Sequence, residues 1–151
     1  MCLVYGRVVA VVGAYWSIAP AEFDVRGQAR AQLSSDTTTP VVGVTTTGAL
    51  IGVVETLLEK PGGFLSNDKF PPGAYPDNIP NWGYGALIQS RDLARAMREF
   101  FSRSQSQSKE DADLAIAEPE LNFRADSWII PASESSYRQA MRYTKGYLAR
   151  L

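Results

Sequence analysis

Four prolines, Pro71, Pro72, Pro76 and Pro80, fall within the nineteen residues from Gly62 to Pro80. Each lacks a backbone donor and fixes φ, so neither a continuous helix nor a central strand can run through the segment. Asn67-Asp68, Pro72-Gly73 and Pro76-Asp77-Asn78 add turn chemistry. A connection of this length inside a domain is either braced by its own side chains or functional. Phe64, Phe70, Tyr75 and Trp82 can brace it from inside, as in a packed Ω-like loop. Aromatic faces serve equally well as a platform for a sugar or a Pro-rich partner. Phe70, Tyr75, Asp77 and Trp82 are therefore the candidate interaction residues.

With 151 residues, 45 % hydrophobic and 21 % charged, the chain is long and apolar enough for one domain with a real core. Its net charge of −1 supplies no electrostatic case for nucleic acid. Arg91, Arg95, Arg98 and Arg103 gather on one predicted helix, but Asp92 and Glu99 interrupt them, which reads as a solvated helix face. There is no histidine. That excludes a Ser-His-Asp or Cys-His triad and His-based zinc sites. The single cysteine, Cys2, cannot form an internal disulfide.

Leu3 to Ile18 is apolar apart from Arg7 and a few small or polar residues. Three readings compete for it. As an anchor over residues 1–20 it is marginal: the eleven residues from Val8 to Ile18 rise about 16 Å as a helix, against a hydrocarbon core of about 30 Å. Arg7 would have to snorkel to a headgroup, while Tyr15-Trp16 would suit an aromatic belt. Arg7 ahead of the apolar run places the rest of such a chain outside the cytoplasm. As a signal peptide, the segment would be cut near Ala19-Pro20-Ala21. As part of a soluble domain, the β-branched Val8 to Val12 would be a core strand.

Residues 21–151 read as a helical domain. A short helix is expected within Ala21 to Leu33. A second spans Gly48 to Glu59, capped by Thr45-Thr46-Thr47, with Leu50, Val53, Val54, Leu57 and Leu58 on one face. A third runs from Trp82 to about Arg103, capped by Asn81, with Ala86, Ser90, Leu93, Ala94, Met97 and Phe101 inward. Ser108 is expected to cap a short acidic helix that ends near Ala117, before Pro119. Leu121-Asn122-Phe123 and Ser127 to Ile130 read as short extended pieces. Ser133 caps a last helix with Tyr137, Ala140, Met141, Thr144, Leu148 and Leu151 on its inner face. That pattern stops without a C-cap, as expected either of a truncated chain or of a natural terminus inside the helix.

Few residues carry candidate chemistry. Glu110 and Asp113 share a helix face at i, i+3, a spacing usable for a hard cation or an acid pair. Carboxylates also favour helix N-termini for electrostatic reasons alone, and that is the simpler account. Ser104, Ser106 and Ser108 have only Lys109 beside them as a base, and Tyr137, Tyr143 and Tyr147 read as core or rim aromatics.

Long, unusual strings point further. TTTGALIGVVETLLEKPGGFLSND (Thr45 to Asp68), NIPNWGYG (Asn78 to Gly85), the run from Arg91 to Phe123, SWIIPASESSYRQAMRYTKGYLARL (Ser127 to Leu151) and YWS…PAEFDV resemble the proteobacterial family called domain of unknown function 2333. The resemblance implies an uncharacterised protein with one N-terminal transmembrane helix and a soluble part. It also implies members longer than this chain, and it supplies no catalytic residue or cofactor. The expectation is therefore a mainly α protein: an N-terminal anchor, then an irregular helical domain with the Pro/Gly/aromatic loop and at most short strands. Functionally it is expected in the bacterial inner membrane with its soluble part periplasmic, in contact with an envelope protein partner and not with nucleic acid. The alternative is a hydrolase of a cell-wall polymer, using the aromatic loop and acidic residues.

Overall fold

Val44–Glu59 forms a helix, α3, that is buried around most of its circumference. The structure, a computed structural model, describes residues 2–22, 24–32, 42–67, 71, 78–101, 110–127 and 129–151. Five further α-helices lie among them: α1 (Cys2–Trp16), α2 (Val25–Gln32), α4 (Ile79–Ala96), α5 (Ala112–Leu121) and α6 (Ser133–Leu148). No strand occurs among the described residues, so the mainly helical expectation holds and the extended pieces do not. The stretch from Asn122 to Ser127 is turns, because it has to reverse the chain between α5 and α6 within a few residues.

The core is built on α3. Leu50, Ile51, Val54 and Leu57 meet Leu87 and Met97 of α4, Leu114 and Leu121 of α5, and Tyr137 and Leu148 of α6. Phe64, from the turn after α3, joins them and sets its ring edge-on to Tyr137, centroids 5.5 Å apart. Of the positions read from the sequence, Leu50, Val54, Leu57 and Leu58 on α3 and Tyr137, Ala140, Met141, Thr144 and Leu148 on α6 are buried, while Val53 and Leu151 are only partly so; Ile51, Tyr147 and, on α4, Leu87 are buried as well. Three buried hydroxyls are satisfied one turn back along the chain: Thr47 donates to the Gly43 carbonyl, Ser90 to Ala86 and Thr144 to Ala140.

Several boundaries differ from expectation for local reasons. α3 starts four residues earlier than expected, at Val44, after Gly43, whose φ of +96° makes the left-handed entry; no threonine side chain caps it. α4 begins at Ile79, with Asn78 in the cap position and Pro80 in the first turn, where its missing donor costs nothing. Its end widens into a π-helical turn, Met97–Phe101, which keeps Met97 buried and turns Phe100 outward. Asp111 caps α5, accepting from the amides of Asp113 and Leu114. Ser108, the expected cap, lies outside the described residues. α5 runs through Pro119 to Leu121, since Leu121 is fully buried and Asn122 closes the last turn onto Glu118. Ser133 is the first residue of α6, and its hydroxyl serves the preceding turn.

The N-terminal segment is helical, so the core-strand reading fails. The spanning anchor needs correction as well. Fifteen residues rise about 22 Å, and no helix among the described residues is long and apolar enough to cross a membrane. Its far end nonetheless touches the body. A Cβ at Gly62, where φ is +83°, would sit 2.7 Å from Trp16 Cγ and 3.1 Å from Leu65 Cδ2. The indole lies directly on glycine backbone.

Leu57→Ala should cost about 2–5 kcal/mol in urea unfolding of the chain. Ile116→Ala, on the exposed side of α5, should stay within about 0.5 kcal/mol. Equal losses from the two would mean that α3 is not the centre of the core.

Candidate functional site

One end of the bundle collects the C-terminus of α3, the start of α4 and the α5–α6 turn. It is assembled by polar contacts between residues far apart in sequence. Ser66 donates to the Pro80 carbonyl at 2.6 Å, tying the turn after α3 to the first turn of α4. Gly83 lets α4 close on α3, since a Cβ there would come within 3.1 Å of Leu57 Cδ1. From mid-α4, the Arg91 guanidinium donates to the carbonyls of Leu121 (2.7 Å) and Phe123 (2.6 Å), and to the Tyr137 hydroxyl (3.3 Å). Those carbonyls belong to the end of a helix and the turn beyond it, which have no intrahelical donors. Burial pushes the Tyr137 phenol above its ordinary range, although Arg91 opposes this, so the hydroxyl stays protonated and donates onward to Phe123.

Ser66, Tyr84, Arg91, Ala125 and Asp126 line a cleft of about 260 Å³ at this end. Tyr84 and Trp82 are half-exposed on the first turns of α4. Of the candidate interaction residues, Trp82 is thus at the surface; Phe70, Tyr75 and Asp77 lie outside the described residues. Phe64 is buried in the core against Tyr137. On the far side of the cleft the chain turns through Ser127, whose hydroxyl donates to the Pro131 carbonyl at 2.6 Å. Ile129 and Ile130 project there, 62 % and 91 % exposed. The peptide before Pro131 is cis.

The cleft holds little reactive chemistry. Asp126 accepts two hydrogen bonds from Arg124, at 3.0 and 2.9 Å, within an exposed ion pair. The candidate carboxylate pair at the start of α5 is not assembled. Glu110 pairs with Arg98, which also holds Glu118, whereas Asp113 pairs with Arg150. No group of side chains fit to hold a metal ion occurs among the described residues. Arg91 and Arg98 are not on a freely solvated face, as their spacing implied; each closes α4 onto α5. Nothing local in the sequence marks this, because the carbonyls that Arg91 serves are backbone and thirty residues away.

A second clasp joins the start of α5 to the end of α6. Arg150 reaches both Asp111, at 2.9 Å, and Asp113. Burial pushes the Asp111 carboxyl up, but the hydrogen bonds from Arg150 and from the Leu114 and Asp113 amides outweigh it, and the net effect is below 3.8. Gly146 makes room for the contact: a Cβ there would meet Asp113 Oδ2 at 2.7 Å.

Arg91→Met should lower stability by about 1.5–3 kcal/mol, because it strips charged donors from part-buried carbonyls. Arg95→Met, exposed on the same helix, should be near neutral in the same urea titration. Asp111 binds fewer protons folded than unfolded. Its contribution is therefore complete above the ordinary carboxylate value and is lost as pH falls below 3.8 through the folded value. Melting temperatures from pH 6 down to about pH 2 should fall less steeply for Asp111→Asn than for the unaltered chain. Parallel curves would show that Asp111 is not a linked group.

No curated protein and no solved structure matches the chain. The strings from Thr45 to Leu151 and the passage after the apolar segment resembled one bacterial family, and the match extends over residues 1–151. The chain belongs to the family described as an uncharacterised protein conserved in bacteria, domain of unknown function 2333.

Proposed function

We propose that this chain is a membrane-attached, non-enzymatic module whose helical body engages envelope protein partners. One observation carries the attachment: α1 keeps its large apolar side chains out of the core. Leu3, Val4 and Tyr5 are all exposed, with Leu3 at 85 %, although successive residues turn about 100° on a helix. Val8, Val11 and Tyr15 are exposed as well. Burying a side chain of this size is worth about 1.5–3 kcal/mol relative to leaving it in water, so such a helix gains several kcal/mol from any apolar medium.

A bilayer suits it. Tyr15 and Trp16 stand at the end that meets the body, where amphipathic rings favour the interface, and the chain from Leu3 to Tyr15 carries one charge, Arg7. Arg7 ahead of the apolar run favours a body on the periplasmic face of an inner membrane. Crossing would need Arg7 to snorkel and the bilayer to thin around a short helix. The protein-interaction role is supported by the body's chemistry: carboxylates taken up by arginines, and exposed rings and aliphatics at one end.

The test is fractionation of the expressed full chain. Retention through carbonate and high-salt washes is expected, with loss of retention when Val4, Val8, Val11 and Tyr15 are changed together to Asn. Protease added from the periplasmic side should digest the body beyond about Pro20. Release of the unaltered chain by either wash would overturn attachment, and protection from the protease would put the body on the cytoplasmic face.

A further inference from the structure

Arg91 closes α4 onto the α5–α6 turn with only part of its guanidinium. The group carries five N–H donors. Nε–H is spent on the Leu121 carbonyl, and the two donors of Nη2 go to the Phe123 carbonyl and the Tyr137 hydroxyl. The two donors of Nη1 have no acceptor among the described residues. All three acceptors are neutral, and no carboxylate among the described residues forms an ion pair with Arg91. A part-buried cation is thus left without a paired counter-charge at the wall of the cleft.

The other polar walls complement it. Tyr84 stands seven residues earlier on α4, two turns and about 10 Å along the axis, so both side chains leave the same face of the helix. Its hydroxyl makes no hydrogen bond among the described residues. Ser66 has given its proton to the Pro80 carbonyl, which leaves its oxygen as an acceptor. Asp126 also lines the cleft, but both its oxygens accept from Arg124. Arg91, Arg124 and Asp126 together therefore present one net positive charge.

We propose that this cleft binds a small hydroxylated monocarboxylate, its carboxylate taken by Arg91 Nη1 and its hydroxyls by Tyr84 and Ser66. One net positive charge matches a monoanion. A phosphate monoester carries about −1.5 to −2 near pH 7 and would set the excess against Asp126. The volume of about 260 Å³ equals that of about nine waters at about 30 Å³ each, room for a ligand of monosaccharide size. An acceptor at Ser66 and a phenol at Tyr84 favour hydroxyls, which a plain alkyl acid lacks. The site is independent of the membrane attachment proposed above and stands or falls without it.

The experiment is an NMR titration of the ¹⁵N-labelled full chain in neutral detergent micelles with sodium glucuronate, at constant ionic strength. Saturable shifts are expected in the amides of Tyr84, Arg91, Ala125 and Asp126 and in the Arg91 Nε–H. Sodium acetate should bind about tenfold more weakly, and Tyr84→Phe should weaken glucuronate about fivefold. Arg91 stays unaltered, because its substitution would also release the carbonyls of Leu121 and Phe123. The charge around it is varied instead at two exposed positions. Arg124→Gln frees the charge of Asp126 and should weaken binding about threefold, whereas Asp126→Asn removes that charge and should tighten it by a similar factor. Both variants break the same ion pair, so a purely structural effect would move affinity in one direction. Changes of the same sign would overturn the electrostatic role given to Arg91. Absence of saturable shifts, or shifts away from the cleft, would overturn the site. Equal affinity for acetate and glucuronate, or tighter binding of inorganic phosphate, would overturn the ligand class. Circular dichroism of each variant separates loss of binding from loss of fold.

Discussion

A helix that offers almost no side to water has to be surrounded, and α3 is such a helix. Only Thr45 and Glu59 along it are exposed. Leu50, Ile51, Val54 and Leu57 point in enough directions that no single partner helix could cover them, so α2, α4 and α6 are all packed against α3. The glycines at 48 and 52 are buried on the same helix. From that one demand follow the placement of α4, with Leu87 and Met97 inward, and of α6, with Tyr137 and Leu148 inward. α5 then fills the gap between those two.

Polar interactions hold the outer helices at fixed angles rather than supplying most of the stability. Arg91 is the exception in kind, because it serves backbone carbonyls that would otherwise end a helix unsatisfied. The Arg98 and Arg150 pairs are partly exposed, and pairs of that sort contribute about 1 kcal/mol or less each. Each arginine draws two carboxylates of the acidic cluster to itself, Glu110 and Glu118 at Arg98, Asp111 and Asp113 at Arg150.

Periodicity made the inner faces of α3 and α6 legible, because burial on a helix is written at a spacing of three and four residues. Leu87 lies one residue off the stripe through Ala86, Ser90 and Ala94, so that spacing does not mark it. Caps were legible in kind but not in place: Gly43 took the position assigned to threonines, and Asp111 the one assigned to Ser108. A cap is decided by backbone dihedrals, and several residues in a row are usually competent. Pro119 was read as a stop, yet the buried Leu121 carries α5 two residues past it, tertiary packing overriding a local preference. Of the candidate site, Trp82 was legible as an accessible ring. The role of Arg91 was not, since its partners are carbonyls that every residue has.

The indole of Trp16 lies against a residue with no side chain, at a backbone dihedral that only glycine adopts readily. Mechanically this is a crank rather than a hinge. A string of glycine and serine would let the helix and the body turn independently. A flat ring laid on bare backbone does not, because any rotation of α1 about its own axis drags the turn at Gly62 with it, or else breaks the contact. The turn that the ring rests on is the one whose Ser66 is bonded to Pro80, so the end of α1 and the start of α4 share a single anchoring turn.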